Sequence, residues 1–144
     1  MSAREKAPLP VLDDFPVKAV DTIRYGDTDM LGHVNNAVFS TFLETGRTRL
    51  LLHPRTFAPP GTGFALVRLV LDYRAEMRWP GEAHIGTGVT GVGRSSISLA
   101  QAIFQDGTCM ATGETVIVLF DTTARRSLPL PDDVRAALEA LAMR

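Results

Sequence analysis

Two hydrophobic periods divide the chain. Residues 15–25 (FPVKAVDTIRY) carry β-branched residues in approximate alternation, which predicts a strand. Over 35–52 the period changes. Val38, Phe39, Phe42, Leu43, Gly46 and Leu50 recur at three- and four-residue spacing, which predicts a helix with one apolar stripe. Asn35 or Asn36 supplies the residue type expected at its N-cap, and the prolines and glycines of 53–63 end it. Strands are expected over 64–77, 83–92, 95–105 and 109–121. WPGE (79–82) forms a turn, GVGR a connection and DGT (106–108) a hairpin turn. Residues 131–143 close the chain with a helix. Val134, Leu138 and Leu141 share its apolar face, and acids occupy its first turn.

The resulting order is β–α–β–β–β–β–α. Consecutive strands with short turns favour an antiparallel sheet, and the apolar helix needs a surface against which to bury its stripe. A strongly curved sheet wrapped round the helix meets both needs, which gives an α+β fold. Gly86, Gly88, Gly91 and Gly93 fit strong curvature or the close approach of a ligand. Residues 1–14, with two prolines and charges flanking a short apolar patch, are expected to be a flexible lead-in. Residues 15–144 form a single domain.

Composition narrows the function more than the fold. The chain has 144 residues, enough for one domain, and a net charge of −1. No long run of like charge points to a nucleic-acid partner. One cysteine, Cys109, excludes an intrachain disulfide and a cysteine-rich zinc site, and reads as packing. Neither a signal-peptide core nor an apolar run long enough for a membrane span is present. The expectation is a cytoplasmic protein without a membrane partner.

The chemistry concentrates in residues 24–36, RYGDTDMLGHVNN. Asp27, Asp29 and Gly32 match the first, third and sixth positions of a calcium loop. Leu31 and Val38 then stand where further ligands are needed. No second histidine is close in sequence for a transition metal, so no metal is expected. A polar strand-to-helix connection alone would explain any one of these residues. Together they place a carboxylate beside a helix start, whose free N–H groups and dipole can stabilise an oxyanion. That is a minimal kit for acyl hydrolysis.

The stretch RYGDTDMLGHVNNAVFSTFLETGR resembles the signature of hotdog-fold acyl-CoA thioesterases of the 4-hydroxybenzoyl-CoA thioesterase type. Its D-x-D-x-x-G-H-V-N-N spelling is most similar to the branch acting on fatty acyl-CoA. The element order agrees over about residues 15–125. The resemblance implies a five-stranded sheet around the helix, and hydrolysis of a fatty or aromatic acyl-CoA. It implies no cofactor, coenzyme A being part of the substrate. Asp29 matches the catalytic aspartate, as general base or nucleophile. The N–H near Asn36 would polarise the carbonyl, and His33 and Asn35 would orient the aspartate or water. Gly32 would admit the substrate, Tyr25 would shape the turn, and Asp27 would hold the loop. Gly93, Arg94, Ser95 and Ser96 become candidate contacts to CoA, Arg94 facing phosphate. The family pairs two copies along a sheet edge with shared active sites, so a homodimer or homotetramer is expected.

Other readings compete. Glu44 is a rival carboxylate, but it lies about 12 Å along the helix from Asn36, and an i,i+3 pair with Arg47 is its simpler role. Asp72 and Tyr73 could line a pocket, although strand residues usually just alternate. A non-catalytic acyl-CoA-binding module and a hotdog hydratase or dehydratase are the alternative functions.

Overall fold

The stripe of the central helix is buried where its spacing requires. A computed structural model describes residues 8–144, so residues 1–7 of the expected lead-in lie outside the described residues. Helix α1 (Asn36–Leu51) buries Phe39, Phe42, Leu43, Gly46, Arg47, Leu50 and Leu51. Strands β1 (Val17–Ile23), β2 (Thr62–Tyr73), β3 (Gly81–Val92), β4 (Ser96–Gln105) and β5 (Thr108–Asp121) form one antiparallel sheet in the order β1-β3-β4-β5-β2. The sheet curves around α1, which rests mainly over β1, β3 and β4. This is the hotdog arrangement. Helix α2 (Asp132–Glu139) buries Val134 and Leu138 near the C-terminal end of α1, in a cluster with Leu50, Leu51, Val89 and Ile97.

A polar network lies beneath the helix. Gln101 Nε2 donates to the Leu43 carbonyl (2.9 Å) and to Thr87 Oγ1 (3.0 Å). Gln101 Oε1 accepts from Thr115 Oγ1 at 3.2 Å and from Arg47 Nη1 at 3.5 Å. Gly46 makes this possible. A Cβ there would meet Ile85 Cγ2 at 2.5 Å, Thr87 Oγ1 at 2.7 Å and Gln101 Nε2 at 2.8 Å. The missing side chain lets helix and sheet approach within hydrogen-bonding range of Gln101.

Several expected boundaries move. The strand expected to reach residue 77 ends at Tyr73, because the Arg74 and Ala75 N–H groups both turn onto the Met110 carbonyl. Residues 74–78 leave the sheet and become a wall of the site described below. The last helix stops at Glu139 rather than 143. The chain beyond it bonds back to β3, with Val89 N–H donating to Leu141 O (2.9 Å) and Met143 N–H to Val89 O (3.0 Å). Gly86 and Gly88 make room on the outer face of the sheet, where Phe15 packs over the first and Met143 and Pro16 over the second. A 3-10 turn, Leu12–Asp14, precedes β1, and Leu12 packs near Phe15 and Phe104.

Candidate active site

The polar stretch before α1 folds into a miniature hairpin. Thr28 pairs with Val34, Asp29 N–H donates to the His33 carbonyl (2.9 Å), and Gly32 N–H donates to the Asp29 carbonyl (3.0 Å). Gly32 takes φ +82°, a conformation a side chain disfavours, which explains the glycine at this turn. Asp29 Oδ1 accepts from Leu31 N–H at 2.9 Å, so the carboxylate is oriented by the turn it initiates. Its other oxygen has no partner among the described residues. Asp29 itself is exposed.

Asp27 does a different job. Only 3% exposed, it accepts from Arg24 N–H (2.8 Å) and from the Arg24 guanidinium (2.9 Å), and its carbonyl accepts from Asn35 N–H (2.8 Å). It thereby ties the end of β1 to the start of α1. Burial pushes its carboxyl pKa up, but the hydrogen bonds and charge of Arg24 together outweigh burial, and the net shift is downward. A carboxylate with a lowered folded value stabilises the fold above its unfolded value of about 3.9 and loses that contribution as pH falls through the folded value. Asp27→Asn is therefore expected to destabilise the protein by about 1–3 kcal/mol near neutrality. In paired thermal melts from pH 7 to 3, the gap between variant and wild type should narrow as the pH falls. A gap that stays constant down to pH 3 would rule out the ionised pair as its cause.

At the helix start, Asn35 is the N-cap, its Oδ1 accepting from Ala37 N–H at 2.9 Å. The next donor, Asn36 N–H, has no acceptor among the described residues. Asn36 lines a cleft of about 410 Å³ together with Asp29, His33, Phe39, Tyr73 and Glu76, among others. The Tyr73 hydroxyl donates to the Asn36 carbonyl (2.9 Å), and its ring meets Phe39 edge-on at 5.1 Å. His33 Nε2 lies 3.0 Å from Glu76 Oε2, which fixes the imidazole at the rim.

The structure thus brings Asp29, His33 and Asn36 onto one cleft, with Asn35 capping the helix behind them. Tyr25 stands outside it, edge-on to Trp79 at 5.2 Å, and Gly32 shapes the hairpin without lining the cleft. Gly93, Arg94, Ser95 and Ser96 form the tight β3–β4 turn, where Gly93 N–H donates to Ser96 O (2.8 Å). Their neighbours Val92 and Ile97 pack with Leu50 and Leu51, so within one chain this turn lies at the opposite end of α1 from Asp29. Glu76 carries no site signal in the sequence, because residues 64–77 read as uninterrupted strand. Tyr73 reads from the sequence as a strand residue, and no local signal takes it to the helix start. The expected Glu44–Arg47 pair is absent among the described residues, because Arg47 turns under the helix to Gln101 while Glu44 stays exposed. Cys109 is buried, and burial raises its thiol pKa above the ordinary value.

A family model described as the thioesterase-like superfamily matches residues 23–138. The chain belongs to the thioesterase-like superfamily. This thioesterase is a thioester hydrolase by that membership. It is similar to a thioesterase from Thermus thermophilus solved with coenzyme A and Zn (31% identity, 90% of this chain and 96% of that chain, TM-score 0.78). It is also similar to the PA5185 protein of Pseudomonas aeruginosa strain PAO1 (26% identity, 94% and 98%, TM-score 0.84). A predicted thioesterase from Bacillus stearothermophilus gives 27% identity, 89% and 97% coverage and a TM-score of 0.77. No curated protein matches the chain. Among the described residues, this thioesterase has no group of three or more His, Cys, Asp or Glu that could hold a metal ion. Nor is any of its described helices long and apolar enough to cross a membrane.

Proposed function

We propose that this thioesterase hydrolyses fatty or aromatic acyl-CoA to the free acid and CoA, with Asp29 as general base or nucleophile. The observation that carries the reading is the cleft lined by both Asp29, whose second carboxylate oxygen has no partner among the described residues, and Asn36, whose N–H has no acceptor among them. The thioester oxygen would accept from Asn36 N–H, and the helix dipole would favour negative charge there. With Asp29 as base, its free oxygen takes a proton from water while the water oxygen bonds to the carbonyl carbon. The tetrahedral intermediate then expels CoA thiolate, which takes up a proton. With Asp29 as nucleophile, its oxygen bonds to the carbonyl carbon and the C–S bond breaks, releasing CoA thiolate, which takes up a proton; water then cleaves the resulting anhydride to the free acid and the Asp29 carboxylate. His33, held by Glu76, and Asn35, capping α1, position these groups. The bound coenzyme A of the Thermus thermophilus relative supports CoA as the donor.

A dimer would complete the site. Strand β2 is a sheet edge with Leu66 46% and Val67 58% exposed. Antiparallel pairing of two β2 strands about a two-fold would set the Tyr73 end of one beside the Thr62 end of the other. That operation carries the 93–96 turn of the second copy toward the first copy's cleft, where Arg94 could meet a CoA phosphate. Two such dimers could pair further into a tetramer.

The test is free-thiol release against a panel of acyl-CoA chain lengths and aryl-CoAs, with an acyl carrier protein thioester and EDTA as separate arms, alongside light scattering. The expected result is turnover of CoA thioesters by a dimer or larger assembly, unaffected by EDTA. No turnover of any CoA thioester would overturn the substrate assignment, and an active monomer would overturn the shared site.

A further inference from the structure

Four hydrogen bonds fix the backbone on both sides of Asn36. Asn35 N–H donates to the Asp27 carbonyl (2.8 Å), and the Asn35 carbonyl accepts from Val38 N–H (2.9 Å). Ala37 N–H donates to Asn35 Oδ1 (2.9 Å), and the Asn36 carbonyl accepts from the Tyr73 hydroxyl (2.9 Å). Between them, Asn36 N–H has no acceptor among the described residues. The first three bonds are local, made by the loop and the helix cap. The fourth comes from the sheet, 37 residues further along the chain. Because α1 makes its main contacts with β1, β3 and β4, this bond ties the helix start from the β2 side.

Tyr73 is itself firmly placed. It is the last residue of β2 and pairs with Ala111 of β5, and the next two N–H groups turn onto the Met110 carbonyl. Its ring meets Phe39 edge-on at 5.1 Å, and Phe39 is buried. A phenylalanine could make the same ring contact; the hydroxyl alone reaches the helix. Neither stability nor hydrogen-bond satisfaction demands that hydroxyl. Tyr73 is 50% exposed, so water can replace a hydrogen bond lost there. A carbonyl at the first position of an α-helix also has the N–H four residues on as its donor.

We infer that Tyr73 is a positioning residue for the reaction: its hydroxyl fixes the Asn36–Ala37 peptide and, through it, the Asn36 N–H. The inference rests on the proposed hydrolysis, in which that N–H polarises the thioester carbonyl. A donor serves an oxyanion only over a narrow range of about 2.7–3.1 Å. Misplacement of a reacting group by about 1 Å can cost about 10²-fold in rate. A bond that changes stability little can therefore change the rate measurably. The proton of the hydroxyl is already given to Asn36, so Tyr73 acts through the helix start and not as a donor to substrate.

The experiment measures kcat, KM and thermal midpoint for Tyr73→Phe on the CoA thioester that wild type turns over fastest. Phenylalanine keeps the ring against Phe39 and removes the hydroxyl alone. The expected result is a fall in kcat of about three- to tenfold, the worth of one neutral hydrogen bond. KM and midpoint should stay unchanged, the pattern of an interaction realised only in the transition state. The infrared stretch of the same thioester, labelled with ¹³C at the carbonyl, reads the polarisation directly. Bound to Asp29→Asn, which lacks the reacting carboxylate, the stretch should drop in frequency, and adding Tyr73→Phe should reverse part of that drop. An unchanged kcat, or a stretch indifferent to Tyr73, overturns the inference. So does a raised KM at constant kcat, which would make the hydroxyl a substrate contact. A lowered midpoint or a variant that does not fold also overturns it, by making the hydroxyl a structural tie. The reaction and the positioning role fail separately. Turnover unaffected by Tyr73→Phe defeats only the positioning role, whereas no turnover of any CoA thioester by wild type defeats the reaction and this inference with it.

Discussion

Asp29→Asn is expected to lower kcat for thioester hydrolysis by about 10²- to 10⁴-fold, the usual contribution of a positioned general base. The substitution is chosen to isolate the chemistry. Asparagine keeps an oxygen that can accept from Leu31 N–H, so the turn that orients residue 29 survives. The side chain is exposed, so no buried charge is created or lost. Thermal midpoint and elution volume should therefore match wild type while thiol release collapses. Near-normal turnover would remove Asp29 from the chemistry and return attention to Glu44, the other carboxylate associated with α1. Single turnover in ¹⁸O-labelled water tests the nucleophilic role. Label found in Asp29 indicates attack by the carboxylate, because activated water delivers label to the acid product alone.

Gly46→Ala should destabilise the fold by about 2–4 kcal/mol, and the sign is the informative part. Helix propensity alone gives the opposite answer, since alanine is about 1 kcal/mol better than glycine inside a helix. The added Cβ would press on Ile85 Cγ2, Thr87 Oγ1 and Gln101 Nε2 at once. The first contact overpacks the core. The other two push against a side chain that holds two donors and two acceptors together beneath α1. Because these neighbours are buried between helix and sheet, none can move into solvent. Urea melts should show a lower midpoint at unchanged slope. A midpoint at or above wild type would mean that the helix can lift off the sheet freely, and that the network contributes little.

The apolar periods were sufficient to read the fold. Three- and four-residue spacing over 38–50 and alternation in the strands are local properties. The strand that stops at Tyr73 and the helix that stops at Glu139 were misjudged for a common reason. Both ends are set by backbone bonds to distant residues, Met110 and Val89, and no local pattern records those. The same division runs through the site. The helix cap at Asn35 is legible because it is built within a few residues, whereas Gly32, expected to admit substrate, serves the positive φ of the hairpin instead. Arg47 looked like a surface partner for Glu44 because helical spacing alone puts them one turn apart.

By itself, then, the sequence determined the order and type of the elements, the α+β wrapping and the loop that carries the candidate carboxylate. Only the tertiary structure decided that Asn36 and Asp29 line one cleft, and that Tyr73 and Glu76 line it with them. It alone buried Arg47 against Gln101, and it set the 93–96 turn at the other end of the helix. The physical reason is range. Turns, caps and amphipathic faces are fixed by neighbours in the chain, whereas the pairing of a helix end with a sheet edge, and the fate of a charge beneath a helix, depend on residues that meet only after the sheet has curved.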